Sequence, residues 1–85
     1  MNVQEFLSAA REGVVTVEFT KIDTGELRVM PCTLKPDLMP TITEVRSQST
    51  TSDHIVVWSL DKDAFRSFRV NTVVRWYKGK NESEG

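Results

Sequence analysis

The sequence predicts a mainly β domain, a curled sheet or small barrel of about five short strands with one short N-terminal helix. Three observations predict it. β-Branched and aromatic residues alternate with polar ones after residue 13. Turn-forming residues punctuate the chain at short intervals, at 23–26, 35–40 and 61–64. Helical periodicity is confined to the first turns of the chain. The 85 residues amount to one domain. That domain is expected over residues 1–80, with the helix at 2–11, the barrel at 13–77 and a disordered tail at 81–85. A chain this short buries little more than about 60% of its unfolded surface, so its core is small. Curling the sheet removes exposed edges at little cost in chain length.

Each element has its own justification. Asn2 can cap the helix, with Glu5 three residues on, and Gly13 can end it. Val3, Phe6, Leu7 and Ala10 fall on one helical face. So short a helix is not stable alone, and its apolar stripe is expected to dock on an open end of the sheet. In residues 14–22, Val15, Val17 and Phe19 alternate with Thr16, Glu18 and Thr20, as in a half-buried strand. Asp23 to Glu26 make a turn in which Gly25 supplies positive φ, and residues 27–34 return as the hairpin partner. Pro31 lacks a ladder donor, which predicts an edge or a bulge.

Lys35 to Pro40 read as a turn or single helical turn. Thr41 to Val45 fit a short edge strand, and the hydroxyl-rich Ser47 to Asp53 a mobile loop. Residues 54–60 are the most hydrophobic run and predict a central strand. After the turn at 61–64, residues 65–70 form its partner, Asn71 and Thr72 interrupt, and 73–77 form the last strand. Lys78 onward is polar and expected to fray.

Composition narrows the function classes. The net charge is −1 and the pI about 5.8, so global charge points to neither nucleic acid nor membrane. Cys32 is the one cysteine and His54 the one histidine, too few for a disulfide scaffold or a structural zinc site. No apolar run is long enough to span a bilayer. The first residues lack a basic segment followed by an apolar one, which predicts a cytoplasmic protein. Catalysis needs a nucleophile, a base and a group that orients it. Neither that pattern nor a glycine-rich phosphate loop occurs, so no enzyme, catalytic residue, metal or cofactor is expected. Cys32 reads as a small core residue, and His54 as an exposed or locally hydrogen-bonded one.

The run Trp58-Ser59-Leu60-Asp61-Lys62-Asp63-Ala64-Phe65-Arg66-Ser67-Phe68-Arg69-Val70 resembles the hairpin of WYL domains, where a strand and an acidic turn precede an aromatic-Arg-x-Phe-Arg string. Phe19-Thr20-Lys21, the Gly25 turn and Met30 to Leu38 are similar to a compact, phage-associated WYL-like group of uncharacterised function. The likeness covers roughly residues 12–76. It implies an Sm-like, SH3-type barrel, and a regulatory module encoded by a phage and acting in the bacterial host cytoplasm. Some WYL domains bind nucleic acid. Asp53-His54-Ile55 stands where the larger family has its Trp-Tyr-Leu triplet, and Asn71-Thr72 where it has Asp-Arg. Arg66 and Arg69 are retained.

Charge is unevenly spread. Residues 62–80 hold Lys62, Arg66, Arg69, Arg75, Lys78 and Lys80 against the single acid Asp63. Aromatic rings cluster in the same half, and Trp58 and Phe68 are expected in the core. Arginines interleaved with rings suit single-stranded nucleic acid, with bases stacking while guanidiniums hold phosphates. The expected contact residues are Arg66, Arg69, Arg75 and Lys78 on phosphates, with Trp76 or Tyr77 stacking. Strand alternation puts Arg66 and Arg69 on opposite faces, which argues against a flat basic patch. The alternative is a viral factor that docks on a host protein through an aromatic patch or free strand edge. Homo-oligomerisation also fits such a fold.

Overall fold

The structure is a computed structural model and describes residues 1–40 and 48–80. The strand expected at Thr41 to Val45, Ser47 of the expected loop and the tail at 81–85 lie outside the described residues. Helix α1 spans Val3–Glu12. The Asn2 side chain accepts from the Glu5 amide at 3.0 Å, satisfying one donor of the first turn. Phe6, Leu7, Ala9 and Ala10 are buried, as the apolar stripe requires. Five strands follow: β1 (Val14–Thr20), β2 (Leu27–Thr33), β3 (His54–Ser59), β4 (Ala64–Arg69) and β5 (Val73–Lys78). A 3-10 turn at Pro36–Leu38 follows β2, and another at Val70–Thr72 joins β4 to β5.

The strands form one antiparallel sheet in the order β4-β3-β2-β1-β5. It curls strongly. Phe19 of β1 stacks on Phe68 of β4 with centroids 5.5 Å apart, although β3 and β2 separate those strands in the sheet. Phe6 of the helix meets Phe68 and Trp76 edge-on at 5.7 and 5.3 Å, joining the two outermost strands. The core inside the curl is Val15, Val17, Met30, Cys32, Leu34, Ile55, Val57 and Phe68 with the helix face. The helix covers the end of the sheet at which β2 finishes. The Leu34 amide donates to Ala10 O at 2.8 Å, and the Thr33 hydroxyl to Gly13 O at 2.7 Å. No described helix is long and apolar enough to cross a membrane.

Several details differ from the sequence reading. β1 stops at Thr20 rather than at residue 22, because Lys21 and Gly25 close the hairpin turn with a 2.7 Å hydrogen bond. Gly25 has φ +73°, the left-handed conformation expected of it. Thr16 and Glu18 are buried as well as the apolar positions, because β1 is flanked on both sides by β2 and β5. Pro31 lies in a strand with neighbours on both sides, not at a sheet edge. Its carbonyl accepts from the Leu60 amide at 3.0 Å, so its missing donor also faces β3, where the β2–β3 ladder ends after Cys32↔Ser59. The proline therefore marks a local edge inside the sheet.

Lys78 is not frayed: it pairs with Val15, and the next amide, of Gly79, donates to Val14 O at 2.8 Å. The described part of the hydroxyl-rich loop is organised by its own side chains. Gln48 donates to Val56 O and accepts from Val56 N at 2.8 Å, filling the ladder position of β3 that β2 does not reach.

Candidate functional site

β2 and β3 pair only at Cys32↔Ser59 and Thr33↔Trp58, so the first half of β2 has no β3 strand beside it. A cleft of about 340 Å³ opens there, lined by Phe19, Met30, Lys21, Arg28, Lys62 and Arg66, with Ser67 at its border. The register explains how four cations converge. Arg28 stands opposite Phe19 on the face that carries the core, two residues before Met30, which stands opposite Val17. Arg66 stands opposite Val57 on the core face, two residues before the buried Phe68. Lys21 follows Phe19 by two residues, and Lys62 belongs to the β3–β4 turn, where its amide donates to the Ser59 hydroxyl at 3.2 Å.

Each of these strands thus places a cation where the alternation would continue the apolar face, and the core ends in a positively charged mouth. No carboxylate lines this cleft, and none of the four cations forms an ion pair with a described residue. The surroundings combine fixed positive charge with apolar surface at the half-buried Phe19 and the buried Met30.

A second, larger lobe of about 750 Å³ adjoins it and shares Phe19, Lys21 and Ser67 with it. Its remaining polar lining is Thr20, Asp23, Asp53, His54, Arg69 and Thr72. Asp53 accepts the Val70 amide on its backbone carbonyl at 2.9 Å, which ties the start of β3 to the end of β4. Its carboxylate meets His54 Nδ1 at 3.0 Å. The hydrogen bond from His54 holds the Asp53 carboxyl below its ordinary pKa, so the group is ionised at neutral pH.

The six residues expected from sequence to form one contact surface are dispersed. Arg66 lines the cationic cleft and Arg69 the larger lobe. Arg75 is bound elsewhere: its guanidinium meets Glu18 Oε2 at 2.9 Å and lies 5.3 Å from the Tyr77 ring centroid. The hydrogen bond to Glu18 raises the already high pKa of Arg75. Trp76 is half-buried against Phe6, and with Lys78 it borders a separate depression beside Glu5 and Glu12 of the helix. Strand alternation accounts for this scatter, as it does for the opposite faces of Arg66 and Arg69.

Lys21 and Arg28 escaped the sequence reading because they come from the first hairpin, outside the basic run that contains Lys62 and Arg66. The available signal was positional: Phe19-x-Lys21, Arg28-x-Met30 and Arg66-x-Phe68 each set a cation at core-face spacing from a hydrophobe.

Phe68 is buried, while Trp58 is only half-buried and packs edge-on against Phe65 at 4.9 Å. Burial pushes the Cys32 thiol up to about 12, a core residue rather than a nucleophile. Among the described residues no three His, Cys, Asp or Glu side chains come together as a metal site.

Residues 3–74 match a family model, WYL_2, whose description is an Sm-like SH3 β-barrel fold. No curated protein and no solved structure matches the chain significantly.

Proposed function

The chain belongs to the WYL_2 family, with its Sm-like SH3 β-barrel fold, and from that premise we propose that it is a nucleic-acid-binding module whose contact surface is the cleft between β2 and β4. The observation that carries this reading is the convergence of Lys21, Arg28, Lys62 and Arg66 on one cleft that no carboxylate lines. Phosphates lie against the four cations, and bases meet the apolar surface at Phe19 and Met30. Rings and cations side by side suit single strands, whose bases are free to unstack. The overall charge of −1 does not oppose this, because a local cluster sets the field within about 10 Å, the screening distance at moderate salt. The module is non-enzymatic in this reading, and regulatory in the sense that occupancy of the cleft is its output.

The test is fluorescence anisotropy with a labelled single-stranded oligonucleotide across a salt series. If about three to four phosphates are neutralised, log Kobs falls against log salt with a slope of about −2 to −3. The variant K21Q/R28Q/K62Q/R66Q is expected to lose this binding while keeping its β-sheet circular dichroism. Undetectable binding at low salt, or unchanged binding by that variant, would refute the reading and favour a protein partner.

A further inference from the structure

We infer that the larger lobe beside the cationic cleft is a nucleobase subsite that accepts bases bearing an exocyclic amino group and disfavours thymine and uracil. This rests on the reading of the cleft as a nucleic-acid site and assigns the neighbouring lobe its task. The two lobes share the wall formed by Phe19, Lys21 and Ser67, so a ligand seated in one extends directly into the other. Their charges divide the ligand. Phosphate belongs in the lobe with four cations and no carboxylate. The larger lobe sets two carboxylates, Asp23 from the hairpin turn and Asp53 at the foot of β3, against the cations Lys21 and Arg69, so it lacks the surplus positive charge of the cleft and its carboxylates accept hydrogen bonds.

Asp53 is held for that role. Its backbone is fixed by the Val70 amide, and His54 takes Oδ1, leaving Oδ2 for a ligand. Cytosine, adenine and guanine each offer an exocyclic NH2 to a carboxylate. Thymine and uracil offer carbonyl oxygens in those places, and a carbonyl facing a carboxylate is unfavourable. Arg69 remains as a donor for the base carbonyl or ring nitrogen, while the Thr72 hydroxyl proton is spent on Arg69 O at 2.7 Å.

The test compares oligo-dC with oligo-dT of equal length, about 12 nucleotides, within the usual footprint of single-strand binders. Both carry the same backbone charge, so the phosphate contribution cancels. At neutral pH dC is expected to bind roughly tenfold tighter, the worth of one hydrogen bond to a charged group. The variant D23N/D53N is expected to abolish the preference and leave the salt slope intact. Both side chains are at the surface, and an unchanged β-sheet circular dichroism spectrum of D23N/D53N checks that the fold is intact. Equal affinity for dC and dT with the salt slope present overturns this subsite and leaves the cationic cleft standing. A preference that survives in D23N/D53N also overturns it. Absence of salt-dependent binding to either oligonucleotide removes the cleft reading and this inference together.

Discussion

Glu18 and Arg75 face each other across the β1–β5 ladder, with Oε2 and the guanidinium 2.9 Å apart. The pair is lopsided: the Glu18 side chain is 11% exposed and that of Arg75 66%. A carboxylate this well covered is costly once its partner is gone, because the remaining charge has lost its solvent and its counter-charge. Arg75→Ala is therefore expected to lower the melting temperature more than Glu18→Gln, and the double variant to melt close to E18Q. Thermal denaturation of the three variants checks the order. Equal effects of the two single changes would mean that the pair contributes nothing beyond a surface contact. Oligonucleotide affinity should be unchanged in R75A, since Arg75 lies outside the cationic cleft.

Cys32 gives the alkaline limb of stability a defined sign. Its folded pKa, about 12, lies above the ordinary thiol value of 9.0. A raised folded value means that stability is complete below the unfolded pKa and is lost as pH rises toward the folded one. Between pH 9.0 and about 12 the unfolded chain releases the thiol proton and the native one keeps it. The contribution is at most about 1.4 kcal/mol per pH unit. Urea denaturation of the native chain and of Cys32→Ala across this range should show a shallower decline in the variant. Parallel declines would show that the thiol is not the group responsible. The native thiol should also resist disulfide-exchange reagents at pH 8 and react on unfolding.

The parts of the fold that depend on local chemistry were legible in the sequence. The Asn2 cap, the Gly25 turn and the helix stripe each follow from a few neighbouring residues and appear where expected, whereas β1 forms as a strand but buries Thr16 and Glu18 along with its apolar positions. The WYL-like string at Trp58 to Val70 led to the family that the chain matches. What failed depends on register between distant segments. The edge or bulge predicted for Pro31 takes the form of a gap inside the sheet, because the β2–β3 ladder stops beside it, which no local pattern reveals. The fraying expected from Lys78 ignored the reach of β1, which pairs with it. The basic C-terminal residues scatter further than strand alternation alone predicts, because β5 turns Arg75 toward Glu18 and packs Trp76 on Phe6. The cleft needs Lys21 and Arg28 from the first hairpin beside Lys62 and Arg66 from the second, a juxtaposition that only the curl of the sheet creates.

Gln48 substitutes for a missing strand. Its amide satisfies both the N–H and the C=O of Val56, a backbone pair that β2 does not reach. Gln48→Ala is expected to cost about 1–3 kcal/mol if Val56 is left unsatisfied, and less if water replaces the amide. Hydrogen exchange is the more selective readout. The Val56 amide should exchange faster in the variant, while Ile55 and Val57, whose amides face the other way along the strand, change little. Unchanged protection at Val56 would show that another group covers that edge.

The cationic cleft makes a prediction that separates its members from the other bases on the surface. Arg66 and Lys62 are exposed and line the cleft, whereas Lys78 is equally exposed but borders the helix beside Glu5 and Glu12. A cation that neutralises one phosphate should, when removed, reduce the steepness of the log–log salt dependence by about 0.7 for a single strand. Lys62→Gln and Arg66→Gln are each expected to show that reduction and weaker binding at low salt, with no loss of thermal stability. Lys78→Gln is expected to leave slope and affinity as they were, although it changes the net charge by the same amount. Arg28→Gln should weaken binding too, and more severely than K62Q, because its half-buried position opposite Phe19 fixes the guanidinium at the mouth of the core. If K78Q weakened binding as much as R66Q, affinity would follow net charge rather than position, and the cleft would have no special role.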